Sequence, residues 1–328
     1  MAKTFKILLI IVVALGLLAG LAWWYLHGRP SGRVATGMVQ DPISNLQSVS
    51  GRTNVLLLGV GGKDHEGGDL TDSMIVMSYD HATGKAFLIS IPRDIWVPSL
   101  KAKINSAYHY GNDRNPQAGL SFVKADVGEV IGQPIQYAVI LDFQGFEKMI
   151  DAVGGVDITV DTAFDDYLYP IAGKEDAEPE SARYEHLHFD AGLQHMDGAT
   201  ALKFARSRHS VGDEGTDFAR SKRQQKVIVA FKNKLLSSST LFSASTLQNL
   251  LNGAKDTLVT DASDIETGAF IRLFLTYAKS GATPTTISLV DLFINPKDTT
   301  PYAGQWVLIP KTNIGDIHDY VAKAFTEQ

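Results

Sequence analysis

The chain has 328 residues, of which 45% are hydrophobic and 20% charged, and its formal net charge at pH 7 is -6. This ordinary globular composition excludes wholesale disorder, and the mild acidity argues against a nucleic-acid partner, for which a basic surface is the rule. Because there is no cysteine, disulfides, thiolate metal ligands and a cysteine nucleophile are excluded as well.

Residues 1–28 are predicted to form a cytoplasmic tip followed by a transmembrane helix. Residues 7–26 carry no charge, and a helix of about 20 apolar residues crosses the hydrocarbon core of a bilayer. Two lysines precede the run and a Trp-Trp-Tyr sequence lies at its far end, which indicates a cytoplasmic N-terminus and an interfacial aromatic belt. We therefore expect a single-pass cell-membrane protein with the rest of the chain outside the cytoplasm. A cleaved signal peptide is the alternative, but its apolar region is typically only about 7–15 residues.

Residues 29–50 are rich in Gly, Ser, Pro, Asn and Gln and are predicted to be a linker. Short apolar runs typical of buried strands follow at residues 54–59, 73–79, 85–91, 137–141 and 156–160. Helical patterns occupy residues 143–153, 265–278 and 314–325. Residues 165–183 are acidic and predicted to be an exposed loop, and residues 305–309 look strand-like. This mixture predicts an α/β sandwich, with one domain over residues 51–328.

Two short charged segments follow predicted strands. A Gly-rich loop at residues 59–72 ends on Asp69 and Asp72, and such a pair can hold a hard cation such as Mg²⁺. Arg93 and Asp94 come directly after an apolar strand, where side chains line the ligand crevice of open α/β sheets. An ordinary turn is the alternative for the loop, and a surface ion pair is the alternative for Arg93 and Asp94. The nine histidines show no metal-ligating spacing and are interpreted as surface or loop residues.

The third charged segment, residues 197–235, carries four arginines. Thr216 is a suitable N-cap for a helix, and at about 100° per residue Arg220 shares a stripe with Val227 and Phe231. Because this stripe begins charged and becomes apolar, it directs the charged residues toward the interior or a cleft, where they need partners. Those residues are Asp217, Arg220 and Gln224.

Arg206 and Arg208 end the preceding predicted helix and could supply the other wall of the same cleft. Several arginines close together suit a phosphate or pyrophosphate, whose oxygens match the guanidinium fork. Arg223 lies further round the helix and is a weaker candidate. A structural network of Arg and Asp residues is the alternative.

Together the three segments resemble the LytR-CpsA-Psr family of bacterial cell-envelope proteins. The matching stretches are NVLLLGVGG, DLTDSMIVMSYD, LISIPRDIWVP, KINSAYHYG, GGVDITV, AGLQHMDGATALKFARSRH and DFARSKRQQKVI. The resemblance is strongest over residues 51–235, and the occurrence of IPRD, ARSR and DFARxxRQQ in this order is specific. It implies a single α/β/α sandwich with a mixed central sheet, held outside the cytoplasm by one membrane helix.

The resemblance also implies an activity. Family members look like ligases that move a glycopolymer from a polyprenyl-pyrophosphate carrier in the membrane lipid onto peptidoglycan, with the assistance of Mg²⁺. The positions that match pyrophosphate contacts are Arg93, Arg206, Arg208, Arg220 and Gln224. Asp72 matches an acidic metal-site position. Asp94 and Asp217 match other charged positions, and either could accept the proton of the attacking hydroxyl.

The chain departs from the family motif at one position, and two other functions are alternatives to the ligase. Many members carry Asp after the first strand's Gly-Val, where this chain has Gly61, so Asp69 is the expected substitute as second metal ligand. A polyprenyl-pyrophosphate pyrophosphatase would use the same arginines with water as the nucleophile. A non-catalytic regulatory or binding protein of the envelope would need the pocket but not the metal.

Overall fold

A computed structural model describes residues 32–39, 41–62, 67–115, 117–171, 173–174, 176–235, 258–280, 282 and 284–326. The predicted transmembrane helix, residues 7–26, lies outside this part of the chain. Among the described residues, no helix has the length and apolarity that crossing a membrane requires.

The chain divides into two compact units. Among the described residues, we call 36–39, 41–61, 67–115, 117–141, 258–280, 282 and 284–326 the sheet unit, and 32–35, 62, 142–171, 173–174 and 176–235 the arginine unit. The extent of the catalytic domain, residues 51–328, stays a prediction.

The sheet unit contains a six-stranded mixed sheet and two further pairs of short strands. Its strands are β1 (Arg52–Val60), β2 (Thr71–Asp80), β3 (Ala86–Ser90), β4 (Trp96–Val97), β5 (Ala102–Lys103), β6 (Tyr137–Asp142), β11 (Leu258–Thr260), β12 (Thr285–Ser288), β13 (Phe293–Ile294) and β14 (Ile309–Pro310). The large sheet has the order β11-β6-β1-β2-β3-β12, and the short pairs are β4 with β5 and β13 with β14. β2 pairs antiparallel with β1 and β3, whereas β12 runs parallel to β3. The predicted mixed α/β fold is therefore confirmed.

Helices cover both faces of this sheet. They are α1 (Gly32–Val39), α2 (Ala107–Arg114), α3 (Gly119–Ile131), α7 (Asp264–Lys279) and α8 (Ile314–Thr326). On one face, Leu56 and Val76 share a buried apolar core with Val127 of α3 and Ile317 of α8. On the other face, the ring of Phe270 on α7 lies 5.0 Å from that of Tyr137. Burying both faces explains why the strands are apolar at consecutive positions rather than at alternate ones.

Part of the predicted linker is packed onto the sheet unit. Helix α1 and a 3₁₀ turn, Ile43–Asn45, fall within residues 29–50. Leu46 is 7% exposed, and the backbone N–H of Gln47 donates to the Tyr137 hydroxyl at 2.7 Å. The Gln47 carbonyl also accepts from the Thr53 hydroxyl at 2.7 Å, and Arg272 donates to the carbonyl of Met38 at 3.2 Å. Polar composition did not predict this packing because most of these contacts use backbone groups.

The arginine unit combines three helices with two pairs of strands among its described residues. The helices are α4 (Phe143–Ala152), α5 (Gly198–Arg206) and α6 (Asp217–Leu235), and the strands are β7 (Val156–Val160), β8 (Phe164–Pro170), β9 (Tyr184–Phe189) and β10 (Gly192–Met196). β7 pairs with β10 and β8 with β9, both antiparallel. Phe189 stacks on Phe164 at 5.1 Å between ring centroids and meets Phe204 of α5 edge-on at 5.2 Å. These rings join the β8–β9 pair to α5.

The prediction of an exposed acidic loop at residues 165–183 was wrong for residues 165–170. Strand β8 occupies residues 164–170 and pairs with β9. Asp166 is 0% exposed and Tyr169 is also buried. The acidic side chains were interpreted as solvated, whereas Asp166 is buried with hydrogen-bond partners that are distant in the sequence. Of the strand expected at residues 305–309, only Ile309 belongs to a strand, since β14 covers Ile309–Pro310.

The stability of the sheet unit is expected to fall as the pH rises from about 4 to about 6, because of Asp126 on α3. Burial, and then repulsion from Glu129, raise the pKa of Asp126 to about 6 against the attraction of Arg114, while an unfolded Asp has a pKa of about 3.9. Ionisation in the folded state therefore costs free energy that is absent below pH 4 and complete above pH 6. Asp126→Asn should remove this dependence and be more stable than the wild type at pH 8 by about 1–3 kcal/mol, measured by urea unfolding.

Asp319→Asn on α8 is the matched control because its side chain is exposed. This variant should keep the wild-type dependence of unfolding free energy on pH. If Asp126→Asn were less stable than the wild type at both pH 5 and pH 8, the buried carboxylate would not be the source of the effect.

Candidate functional site

In the sheet unit, the predicted residues Asp72, Arg93 and Asp94 come together. The Arg93 guanidinium donates from Nη1 to the Asp72 carboxylate, and its Nε lies 3.6 Å from Asp94 Oδ2. Lys103 Nζ donates to Asp94 Oδ1 at 2.7 Å. We call these four alternating charges, Asp72, Arg93, Asp94 and Lys103, the charge ladder.

The sheet explains this grouping. β2 and β3 are antiparallel neighbours, with Ile75 opposite Ser90, so residues at the start of β2 lie beside those that follow β3. Asp72 is the second residue of β2, and Arg93 comes three residues after the end of β3. The predicted position at a strand end is therefore what brings the ion pair together.

Asp69 has a different partner, His109 on α2. Its Oδ2 forms a 2.7 Å hydrogen bond with His109 Nδ1, while His109 Nε2 lies 3.3 Å from Asp113. The hydrogen bond with Asp69 raises the pKa of His109 above its ordinary value, outweighing partial burial. Sequence analysis interpreted His109 as a surface or loop residue and missed this contact, because the two residues are 40 positions apart.

Asp69 and Asp72 carry the type of donor atom that Mg²⁺ prefers, although in this structure Asp69 is bonded to His109 and Asp72 to Arg93. The side chains of Asp69 and Asp72 are 42% and 49% exposed, respectively, and carboxylate oxygens are the ligands this ion prefers. No group of three or more His, Asp or Glu side chains suited to a metal occurs in the described part of the chain. Two carboxylates are nevertheless enough, because Mg²⁺ commonly keeps several waters and takes its other ligands from substrate phosphates.

In the arginine unit, Arg206 is the last residue of α5 and packs against two aromatic rings. Its guanidinium carbon lies 4.2 Å from the ring centroid of Phe143 and 5.7 Å from that of Tyr169. Nη1 donates to the Tyr169 hydroxyl at 3.4 Å. Arg206 makes no ion pair with any carboxylate of the described residues. Partial burial without a paired anion leaves this cation suited to bind an anionic ligand.

Glu147 on α4 is a charged neighbour of Arg206 that sequence analysis did not single out. Burial, followed by the charges of Asp151 and Asp197, raises its pKa above the ordinary value, although Arg206 acts in the opposite direction. Carboxyl groups with a raised pKa beside a cation are frequent at functional sites. No sequence motif marks Glu147, because its neighbours Asp197 and Arg206 lie at the two ends of α5, at least 50 residues further along the chain.

Arg208 lies just beyond α5, and its backbone is held by the buried Asp166. Asp166 Oδ2 accepts from the Ser207 hydroxyl at 2.6 Å and from the backbone N–H groups of Arg208 and His209 at 3.2 Å each. The exposed Arg208 side chain donates from Nε to His209 Nε2 at 3.2 Å. Asp166 therefore positions the segment that carries Arg208.

Arg223, the weaker candidate, is almost fully buried and serves as a support. It is 3% exposed. Its Nε donates to the carbonyl of Phe204 at 3.0 Å, its Nη2 to that of Ser207 at 2.5 Å, and its Nη1 to Glu214 Oε2 at 2.8 Å. The first two carbonyls lie at the C-terminal end of α5, where backbone acceptors lack helical partners. Arg223 thus caps the helix that ends at Arg206.

Where its side chains are described, α6 buries the row Ala219, Arg223, Val227 and Phe231. Val227 and Phe231 belong to the predicted stripe, but Arg223 rather than Arg220 is fully buried, and Arg220 is only half-buried. Thr216 is the predicted N-cap, and its hydroxyl accepts from the Ala219 N–H at 3.2 Å. The side chains of Asp217 and Gln224 lie outside the described part of the structure.

Comparison with known proteins agrees with the motifs. The LytR_cpsA_psr family matches residues 33–312. Regulatory protein MsrR of Staphylococcus aureus is 29% identical over 232 residues, which cover 69% of this chain and 61% of MsrR. The polyisoprenyl-teichoic acid–peptidoglycan teichoic acid transferase TagU of Oceanobacillus iheyensis is 33% identical over 217 residues, which cover 65% of this chain and 60% of TagU.

The fold agrees as well. The crystal structure of B. subtilis TagV superposes with a TM-score of 0.54 at 23% identity, covering 84% of this chain and 98% of that one. The matched region spans about 60% of the length of both MsrR and TagU. Since the family match includes most of the chain and both charged sites, the protein belongs to the LytR_cpsA_psr family.

Proposed function

We propose that the protein is a transferase that moves a glycopolymer from a polyprenyl-pyrophosphate carrier to peptidoglycan. Family membership and the activity printed in the name of TagU support this function. The observation that carries it is Arg206, a half-buried guanidinium that forms no ion pair with a carboxylate of the described residues, although Glu147 lies close enough to interact with its charge. A guanidinium in this state suits a ligand rich in phosphate oxygens.

In the proposed reaction, an acceptor hydroxyl attacks the anomeric carbon or the phosphorus beside it. The bond to the carrier breaks and negative charge develops on the departing phosphate oxygens. Fixed cations aimed at those oxygens lower the barrier, because they stabilise charge that is greater in the transition state than in the substrate. Arg206 and Arg208 are proposed for this role in the arginine unit, together with Arg220 and Gln224. Arg93 is the proposed phosphate contact of the sheet unit.

The remaining roles are proposed for acidic residues. Asp72, with Asp69, would hold Mg²⁺, which neutralises phosphate charge as a Lewis acid when it is bound. Asp94 and Asp217 remain the two candidates for accepting the proton of the attacking hydroxyl. We further propose that the protein acts at the outer face of the cell membrane, where both the lipid carrier and peptidoglycan are accessible.

The test is an in vitro assay with the full chain in detergent, a radiolabelled polyprenyl-pyrophosphate glycan and purified peptidoglycan. We expect label to become covalently attached to peptidoglycan in the presence of Mg²⁺ and the rate to fall when EDTA is added. Hydrolysis to labelled glycan phosphate and polyprenyl phosphate, with no label attached to peptidoglycan, would instead identify a pyrophosphatase.

Binding of the carrier without either product, in the presence and absence of Mg²⁺, would contradict the transferase. It would favour a regulatory protein, the role printed in the name of MsrR.

A further inference from the structure

Three aromatic side chains lie beside the charge ladder: Trp96, Tyr302 and Trp306. The rings of Trp96 and Tyr302 meet edge-on with centroids 5.3 Å apart. Trp306 is 55% exposed to solvent, although a tryptophan side chain gains more than almost any other from burial. We call these three residues the aromatic platform.

The aromatic platform is attached to the charge ladder through the backbone. The N–H of Trp96 donates to the carbonyl of Leu308 at 2.9 Å, and the N–H of Leu308 donates to the carbonyl of Asp94 at 2.9 Å. Val307, which follows Trp306, is fully buried and its carbonyl accepts from Asn295 Nδ2 at 2.8 Å. These bonds pair the backbone of Leu308 with the ladder residue Asp94 and with Trp96. The exposure of Trp306 is therefore a feature of an anchored segment.

A cation lies over the exposed ring: Lys103 Nζ is 6.0 Å from the centroid of Trp306, and it donates to Asp94 Oδ1 at 2.7 Å. The site thus combines a half-exposed aromatic ring with one donor near it and one acceptor bonded to that donor. Pyranose sugars have the complementary chemistry, since their C–H groups form apolar faces and their hydroxyls form hydrogen bonds around the rim. Small-ligand sites of this kind pair aromatic surface with a few placed polar groups.

We propose that the aromatic platform is a glycan-binding subsite, in which Trp306 stacks on a pyranose ring while Asp94 and Lys103 bond its hydroxyls. This inference rests on the proposed function, because it assigns the subsite to the sugar chain that accepts the transferred polymer. It adds Trp306 as a substrate-binding residue that neither the motifs nor the arginines indicated.

The test measures glycan binding without turnover. The probe is a tetrasaccharide of alternating N-acetylglucosamine and N-acetylmuramic acid, titrated into the full chain by isothermal calorimetry. Trp306→Ala should weaken the affinity by about tenfold, the size of an aromatic stacking interaction, whereas Trp306→Phe should retain most of it. Tyr320→Ala is the matched control, because Tyr320 is an exposed aromatic residue on α8, 42% exposed, and the affinity should not change.

Two outcomes would overturn the subsite: no binding of the tetrasaccharide by the wild type, or equal affinity of Trp306→Ala. If the full chain bound anionic lipid vesicles through Trp306 but did not bind the tetrasaccharide, Trp306 would be a membrane contact. That result would also overturn the subsite. Because the titration needs no carrier lipid, a protein that binds the tetrasaccharide through Trp306 but transfers nothing would refute the proposed function and leave the subsite standing.

Discussion

Arg206→Ala is expected to lower kcat/KM for glycan transfer by about 10²–10³-fold, as the loss of one charge-stabilising donor does in other active sites. The side chain makes no ion pair within the described residues and contacts Phe143 and Tyr169 mainly through ring faces. Its removal should therefore reduce the free energy of unfolding by only about 1 kcal/mol. Transfer is measured with labelled carrier lipid, and stability by urea unfolding of the same preparation.

Two further variants separate the role of the guanidinium from that of positive charge. Arg206→Lys keeps the charge but loses the planar fork, so transfer should be intermediate. Arg183→Ala is the matched control, since Arg183 lies in the same unit and is paired with Glu178 at 2.8 Å; transfer should stay at the wild-type rate. Wild-type kcat/KM in Arg206→Ala would remove this arginine from the proposed site.

Much of the local structure was readable from the sequence. The strand predicted at residues 156–160 is observed with the same bounds as β7, and the helix predicted at residues 143–153 ends one residue earlier. Local chemistry explains this agreement: Asp142, Asp197 and Thr216 each accept a backbone N–H at a helix start. Apolar runs and caps act within a few residues, so their consequences are visible without tertiary structure.

The supports of the arginines were not readable in the same way. The helical period gives only the direction in which Arg220 and Arg223 point around the helix axis. On that basis the sequence predicts that Arg220 faces the interior. The observed choice depends on the carbonyls of Phe204 and Ser207, which lie 19 and 16 residues before Arg223. Similarly, apart from the N–H of Leu168, the partners of Asp166 come from residues 41 to 43 positions later. The residues next to Arg223 and Asp166 in the sequence therefore do not predict these bonds.

Ser207 connects the two supports. It is fully buried between Arg206 and Arg208; its hydroxyl donates to Asp166 at 2.6 Å and its carbonyl accepts from Arg223 at 2.5 Å. A buried anion and a buried cation therefore hold the same residue from its side chain and from its backbone. These bonds fix the backbone positions of Arg206 and Arg208 before any ligand is bound.

Asp166→Ala is expected to lower the free energy of unfolding by about 3–5 kcal/mol, because three donors of the Ser207–His209 segment lose a buried, charged acceptor. Burial alone would raise the pKa of Asp166, but the hydrogen bonds from Ser207 and three backbone N–H groups outweigh it and hold the pKa below the ordinary value. This contribution is complete above the unfolded pKa of about 4 and is lost as the pH falls through the lower folded value. Urea unfolding at pH 7 and at pH 3 measures both effects.

Asp165→Asn is the control for this change. Asp165 is the preceding residue of β8, and its carboxylate bonds the half-exposed His186 and His188 rather than the arginine segment. Its replacement should therefore have a much smaller effect on stability at pH 7.

Arg223→Met removes the support on the other side of Ser207 while keeping the length of the side chain, and it should destabilise the unit by a similar amount to Asp166→Ala. If the two changes act on one support, the double variant should lose less stability than the two single losses added together. Full additivity, or a stable Asp166→Ala protein, would mean that the arginine segment does not depend on these buried charges.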